Sequence, residues 1–408
     1  MRPPKTIIID DAIPFAKAMF AHLGVVKLVP GKQINANTVQ HADALIIRSR
    51  TRINQALLHN SAVKFVGSTV VGLDHIDQTY LNQTNRHFYS AQGCNANSVA
   101  EYIMTCLLIL AEKHQFDLTQ KTLGIIGVGH VGSLVLKKAQ ALGMTCLLND
   151  PPKVQQNPQL AHSANAKNAL YTNLEHCLSA DIITVHTPLT THGQFATLDL
   201  LSAKRLKRIQ PHQILINAAR GGIINETAWQ QTNTLANIID CWVNEPNINA
   251  GLYKKADIAT PHIAGHALDA KITGTQMVYQ ALCAFWNTPP QTQWQQNLPN
   301  LPSTLNIDSQ QCVTQPATQS TTPHSQHKPC TNLARTLQTQ LTHLTQTTHN
   351  PLLDDQAIRS VHIETVHQKY EDYRRNFPVY REWHQHNVHV KNNLTLRNIL
   401  IKMGFNAY

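Results

Sequence analysis

Three segments of this 408-residue chain close apolar runs with side chains that can do chemistry: ILINAARGG (214–222) with Arg220, IIDCWVNEP (238–246) with Asp240 and Glu245, and TPHIAG (260–265) with His262. A guanidinium at a strand end beside two glycines suits a carboxylate, which its planar fork grips through parallel hydrogen bonds. Histidine exchanges a proton near neutrality, and a carboxylate behind the imidazole fixes its tautomer and favours its charged form. Each residue alone has a plain explanation: Arg220 as a surface ion pair, Glu245 as a helix-start acid before Pro246, His262 as a loop histidine with an internal partner. Together they can hold a carboxylate and take the proton of a neighbouring hydroxyl. Oxidation of that carbon then needs only a hydride acceptor.

The acceptor is written upstream, in GIIGVGHVG (124–132). Gly127, Gly129 and Gly132 form G-x-G-x-x-G between the apolar run 122–126 and a helical pattern over 130–142, the arrangement that lays a pyrophosphate against a helix N-terminus. His130 and Val131 share the loop. A second apolar run, 145–149, ends in Asp150, about 20 residues past the glycines, where a carboxylate accepts ribose hydroxyls and repels a 2′-phosphate. The cofactor predicted is NAD rather than NADP.

The elements that must position these groups read as α/β. Apolar runs at 6–10, 25–29, 44–48, 64–68 and 87–91 alternate with helical segments such as 13–23 and 54–58, which predicts a parallel sheet. Ser98 with Glu101 reads as a capping box opening a long helix into the cofactor domain. Further short strands are expected at 181–186, 213–217, 237–241 and 257–260, and a helix at 274–286 returns the chain to the first domain. The expected organisation is a Rossmann-type NAD domain (99–262) inserted in a flavodoxin-like substrate domain (1–98 and 263–290), with a C-terminal α+β dimerisation domain (291–408). Within that tail, 310–332 is rich in Gln, Thr, Ser, Pro and His and reads as a low-complexity loop. Helical patterns at 333–344, 357–373 and 394–403 and a strand at 388–390 surround it.

Composition narrows the function classes. The net charge is +10 with 23 histidines uncounted, yet Lys and Arg are scattered, only 204, 205, 207 and 208 cluster, and no recognition motif accompanies them, so nucleic acid is not expected as a partner. No apolar stretch is long enough to span a bilayer and no signal-type segment precedes the first strand, which predicts a cytoplasmic protein without a membrane partner. The 8 cysteines show no paired spacing and read as reduced thiols. His384, His386 and His389 lack a completing ligand set, and no metal is expected.

The G-V-G-x-V-G loop, the N-A-A-R-G strand end, the D-x-W-x-x-E-P segment and the T-P-H-I-A-G turn resemble, in order and spacing, the D-isomer-specific 2-hydroxyacid dehydrogenases. Stretches at 46–54, 65–75, 93–97, 149–152 and 402–407 resemble one branch of that family, which acts on a phosphorylated 2-hydroxy acid, so the resemblance covers almost the whole chain outside the Gln/Thr-rich stretch. It implies that Arg220, Glu245 and His262 are the catalytic trio, with Glu245 orienting and tuning His262. It implies substrate contacts at Ser49, Val70 and His266, cofactor contacts at Asp150, Thr187, Ala218, Asp240 and Gly265, and a homodimer. Two positions depart from the family pattern: Val70 stands where a threonine is usual and His266 where a tyrosine is usual. A different D-2-hydroxyacid dehydrogenase, such as one for 3-phosphoglycerate, and a non-catalytic NAD-sensing protein on the same fold are the alternatives.

Overall fold

The computed structural model describes residues 4–162, 169–307, 332–360 and 365–408; the low-complexity segment lies outside them but for Asn332. The chain divides into two compact units, one comprising residues up to Ala96 with His266–Asn300, the other Asn97–Gly265 with Leu301–Tyr408.

The first unit is built on five parallel strands, β1 (Thr6–Asp10), β2 (Val25–Val29), β3 (Ala44–Ile47), β4 (Phe65–Ser68) and β5 (His87–Ser90), in the order β2-β1-β3-β4-β5. This is the flavodoxin-like order. Strand alternation splits its core in two: Ile7, Ile9, Ile46 and Phe65 pack with Val278 and Leu282 on one face, while Ile8, Leu45, Ile47 and Val66 pack with Val39, Leu58 and Leu81 on the other. The returning helix runs Leu268–Phe285, six residues earlier at its start than the apolar pattern predicts, because its first turn is partly polar.

The second unit holds β6 (Thr122–Ile126), β7 (Thr145–Asn149), β8 (Ala169–Tyr171), β9 (Ile182–Val185), β10 (Ile214–Asn217), β11 (Ala236–Ile239) and β12 (Ile258–Ala259), all parallel, in the order β12-β11-β10-β9-β6-β7-β8. The chain reverses direction of winding between β6 and β9, the switch point where a Rossmann sheet holds its dinucleotide. The C-terminal tail adds a small parallel sheet of β13 (Leu305–Ile307), β14 (Asn387–Val390) and β15 (Asn406–Ala407), with helices Asn332–Thr348, Pro351–Arg359, Val366–Arg375 and Leu394–Met403.

The capping box expected at Ser98 and Glu101 does not form. The helix spans Ala96–Lys113, and both side chains are buried against the tail: Ser98 Oγ donates to Glu382, the Trp383 N–H donates to both Glu101 oxygens at 3.1 Å, and Asn97 Nδ2 donates to Glu101 and Glu382 at 2.8 Å each. Lys138, on the helix that follows the glycine loop, joins them with Nζ 3.7 Å from Glu101 and 2.6 Å from the Met403 carbonyl. Burial pushes the Glu101 carboxyl up to about 8 against the opposing pull of Lys138. Around this cluster the tail residues Leu341, Leu344, Trp383, Leu396 and Leu400 share one apolar core with Tyr102, Leu107 and Val135. Ending the chain at Asn300 would therefore expose that core and strand buried charges, so the truncated protein should aggregate rather than fold as a smaller unit. Light scattering and a thermal melt check this; a cooperative melt from a non-aggregating fragment would refute it.

Candidate active site

The glycine loop follows β6 with a geometry that accounts for each glycine separately. Gly127 has φ +90°, and a Cβ there would lie 2.8 Å from the backbone of His186. A Cβ on Gly132 would meet the Gly127 carbonyl oxygen at 2.0 Å, so only glycine lets the helix His130–Ala141 sit this close to the strand. At Gly129 a Cβ would point into open space, with nothing within 4 Å. No contact demands a glycine there, and backbone left bare of side chains is what a pyrophosphate needs. At the end of β9, burial pushes the His186 imidazole down to about 3, so it stays neutral beneath the loop. Thr187 beside it carries a buried Oγ1 without a hydrogen-bond partner among the described residues. Open cradle and orphan hydroxyl both fit a dinucleotide.

Asp150 stands at the end of β7, with Oδ2 accepting from Val128 N at 2.8 Å and Oδ1 accepting from Lys153 N at 3.0 Å. It ties the glycine loop to the helix Pro151–Gln156, which it caps, and each oxygen keeps a second lone pair.

Arg220 follows β10. Asn217 Nδ2 donates to the Arg220 carbonyl at 2.9 Å and Asn217 Oδ1 accepts from Ala219 N at 3.1 Å, so the turn through Ala218 is held from within. A Cβ on Gly221 would lie 2.2 Å from the Trp242 carbonyl, which locks this turn against the next one. Arg220 Nη1 donates to the Ala219 carbonyl at 2.7 Å, fixing the plane of the guanidinium.

His262 and Glu245 meet directly, the imidazole Nδ1 lying 2.9 Å and 3.1 Å from the two carboxylate oxygens. Glu245 is itself held by the Trp242 N–H at 2.9 Å. Burial raises the Glu245 carboxyl, but His262, the Trp242 N–H and the Arg374 charge outweigh it and leave the group below its ordinary range, hence ionised. His262 takes φ +55°, a left-handed conformation uncommon outside glycine. What holds it there is Asp240, which is 1% exposed. Its Oδ1 accepts from Ile263 N at 2.8 Å and Thr260 Oγ1 at 2.7 Å, and its Oδ2 accepts from Ala264 N at 3.1 Å.

The structure thus brings together the Arg220 turn, Glu245, His262 and Asp240 in the second unit, with the glycine loop, Asp150, Thr187 and Gly265 on the same unit. Asp240, read from sequence as a cofactor contact, has both oxygens engaged by the turn that carries His262. Ser49 and Val70 lie just past β3 and β4 in the first unit, as does His266 at its return point. The Val70 carbonyl accepts from Ser68 and Ser90 hydroxyls at 3.2 Å and 3.1 Å, so its loop is pinned from two strands. Sequence reasoning missed Asn217, Trp242 and the Asp240 clamp. Their signal was faint, since each works through backbone groups of the next segment.

Sheet order, glycine loop and the Arg–Glu–His arrangement define a class, the NAD-dependent dehydrogenases of 2-hydroxy acids. The model of the D-isomer specific 2-hydroxyacid dehydrogenase NAD binding domain matches residues 109–264. The chain is 52% identical over 405 residues to the erythronate-4-phosphate dehydrogenase of Hydrogenovibrio crunogenus, covering 99% of each, and 44% identical over 382 residues to that of Ruthia magnifica, covering 93% of this chain and 96% of the relative. Among solved structures, the NAD-dependent formate dehydrogenase of Staphylococcus aureus in complex with NAD shares the fold, with TM-score 0.57 and 21% identity over 71% of this chain and 98% of that one. The chain belongs to the erythronate-4-phosphate dehydrogenase family.

Proposed function

We propose that this protein oxidises 4-phospho-D-erythronate to 2-oxo-3-hydroxy-4-phosphobutanoate with NAD, as a step of pyridoxal 5′-phosphate biosynthesis. The observation that carries the chemistry is the His262–Glu245 pair: Nδ1 is bound to Glu245, and Nε2, with no hydrogen-bond partner among the described residues, is the nitrogen left to take the substrate's hydroxyl proton. Arg220 binds the carboxylate through its fork and polarises the oxygen that becomes a carbonyl. Asp240 fixes the turn so that the imidazole keeps its aim. NAD, when bound, supplies the hydride acceptor; Gly127, Gly129, His130, Val131, Gly132, Asp150, Thr187, Ala218 and Gly265 would hold it. Ser49, Val70 and His266 are the proposed substrate contacts. The tail is proposed to form a homodimer, and the reaction to run in the cytoplasm; among the described residues no helix is long and apolar enough to cross a membrane. An NADH absorbance assay over phosphorylated and plain 2-hydroxy acids tests the reading. Turnover of 3-phosphoglycerate in preference to 4-phospho-D-erythronate would overturn it.

Cofactor choice gives a separate expectation. Asp150→Ala removes the negative charge that repels a 2′-phosphate, so the ratio of kcat/KM with NAD to that with NADP should fall about 10-fold or more. The lost helix cap costs about 1 kcal/mol, small enough to leave the enzyme folded. An unchanged ratio would place cofactor discrimination elsewhere.

A further inference from the structure

Cys241 stands two residues past β11, and the chemistry of Arg220, Glu245 and His262 calls for no thiol there. Its backbone is fixed against β10: Cys241 N donates to the Asn217 carbonyl at 3.3 Å, and the Cys241 carbonyl accepts from Asn217 Nδ2 at 3.4 Å. The residue is buried, 1% exposed. Its Sγ lies 4.0 Å from Asp240 Oδ2, in the combined field of the Asp240 and Glu245 carboxylates and the Arg220 and Arg374 guanidiniums. Packing alone does not require sulfur at this position, since a valine would fill the same space.

The Cys241 sulfur, a Glu245 oxygen and a His262 ring nitrogen all lie within 4.8 Å of one another, and among the described residues no other three His, Cys or acidic side chains converge in this way. The nitrogen turned toward Glu245 is Nδ1, 2.9 Å from Oε2. Tetrahedral zinc, with bonds of about 2.0 Å to nitrogen and oxygen and about 2.3 Å to sulfur, spaces its ligand atoms about 3.3 to 3.6 Å apart, so small side-chain shifts would seat it. Both turns are held ready for this. The Trp242 N–H steadies Glu245 through Oε1, and Asp240 clamps the turn that carries His262. The His262 and Glu245 side chains keep 32% and 20% of their exposure, so an ion reaches them from solvent. Sulfur, imidazole and carboxylate together suit zinc and its thiophilic neighbours, whereas magnesium and calcium ask for oxygen alone.

We propose that Cys241, Glu245 and His262 form an inhibitory zinc site. Zinc takes Nδ1, so the one proton of the neutral ring moves to Nε2, the nitrogen that must be bare to accept the substrate's hydroxyl proton. The Cys241 thiol gives its proton to water, and no electron changes hands. Burial, with Asp240 and Glu245 beside it, keeps that thiol protonated in the metal-free protein; the dication brings the charge that releases the proton. The inhibition rests on the reading of His262 as the base, and the ligand set does not.

The test titrates the full chain with zinc chloride, under a phosphine reductant, in the wild type and in Cys241→Val and Cys241→Ser. Both variants should keep the wild-type rate without metal. Zinc should inhibit the wild type, a chelator should restore it, and the half-inhibitory concentration should rise about 100-fold or more in each variant, beyond the 10- to 100-fold cost of losing a mere outer partner of a metal ligand. A second readout needs no turnover: cadmium should give the wild type one thiolate charge-transfer band per chain that neither variant gains, which also decides the matter for a variant too unstable to assay. Equal zinc sensitivity in all three proteins, or a cadmium band that survives loss of the thiol, overturns the site. A Cys241-dependent band in a wild type that zinc leaves fully active would keep the ligand set and sink the reading of His262 as the base.

Discussion

Replacing Arg220 with lysine is expected to lower kcat/KM by about 100- to 1000-fold, the usual loss when one positioned group that stabilises charge in the transition state is removed, while NAD binding is retained. Lysine keeps the charge and gives up the geometry. The backbone that aims Arg220 is fixed on both sides, by Asn217 within the turn and by the contact of Gly221 with Trp242. Its guanidinium plane is set by the Nη1 bond to the Ala219 carbonyl. A planar fork so oriented can meet a carboxylate and the reacting oxygen together; an ammonium on a flexible stem meets one of them, in many orientations. The glycine loop and Asp150 lie on other strand ends and are untouched, so fluorescence titration with NADH should give the wild-type affinity. A lysine variant retaining most of its kcat/KM would remove Arg220 from the chemistry.

What could be read from the sequence divides along physical lines. Buried parallel strands are short apolar runs, and those of both sheets were visible as such, apart from β8 (Ala169–Tyr171), which is short and half-exposed. The glycine loop was legible because backbone conformation and close approach leave no other residue possible at Gly127 and Gly132. Arg220, Glu245 and His262 were legible as strand-end residues of chemical type. Long-range partners were not. Ser98 and Glu101 match a local capping pattern, yet Ser98 bonds a residue 284 positions away, and nothing within a helical window carries that information. Asp240 resembles any strand-end acid until the amides of Ile263 and Ala264 are seen to converge on it. The 357–373 pattern, taken as one helix, is two, Pro351–Arg359 and Val366–Arg375. Both present apolar residues at the same spacing, and periodicity cannot locate a break between elements of equal period.

Glu245→Gln should reduce kcat/KM for hydroxy-acid oxidation by about 10- to 100-fold, within the usual worth of an acid–base partner. Burial alone would raise the Glu245 carboxyl, and the His262 charge is the leading influence that brings it below its ordinary range, so a carboxylate stands against the ring. The rate falls for two reasons. The ring that takes the hydroxyl proton loses the negative charge beside it, and the amide also has one oxygen where the carboxylate has two. Glu245 Oε1 accepts from Trp242 N at 2.9 Å while Oε2 lies 2.9 Å from His262 Nδ1, so glutamine must turn its NH2 toward one of these donors and lose that bond, loosening either the acid or the ring. Measurements of kcat/KM with protiated and 2-deuterated substrate, the isotope effect confirming that hydride transfer limits the rate, decide the matter. An unchanged kcat/KM in the glutamine variant would mean that Glu245 does not serve His262 in the reaction, and its role would shrink to packing beneath the turn.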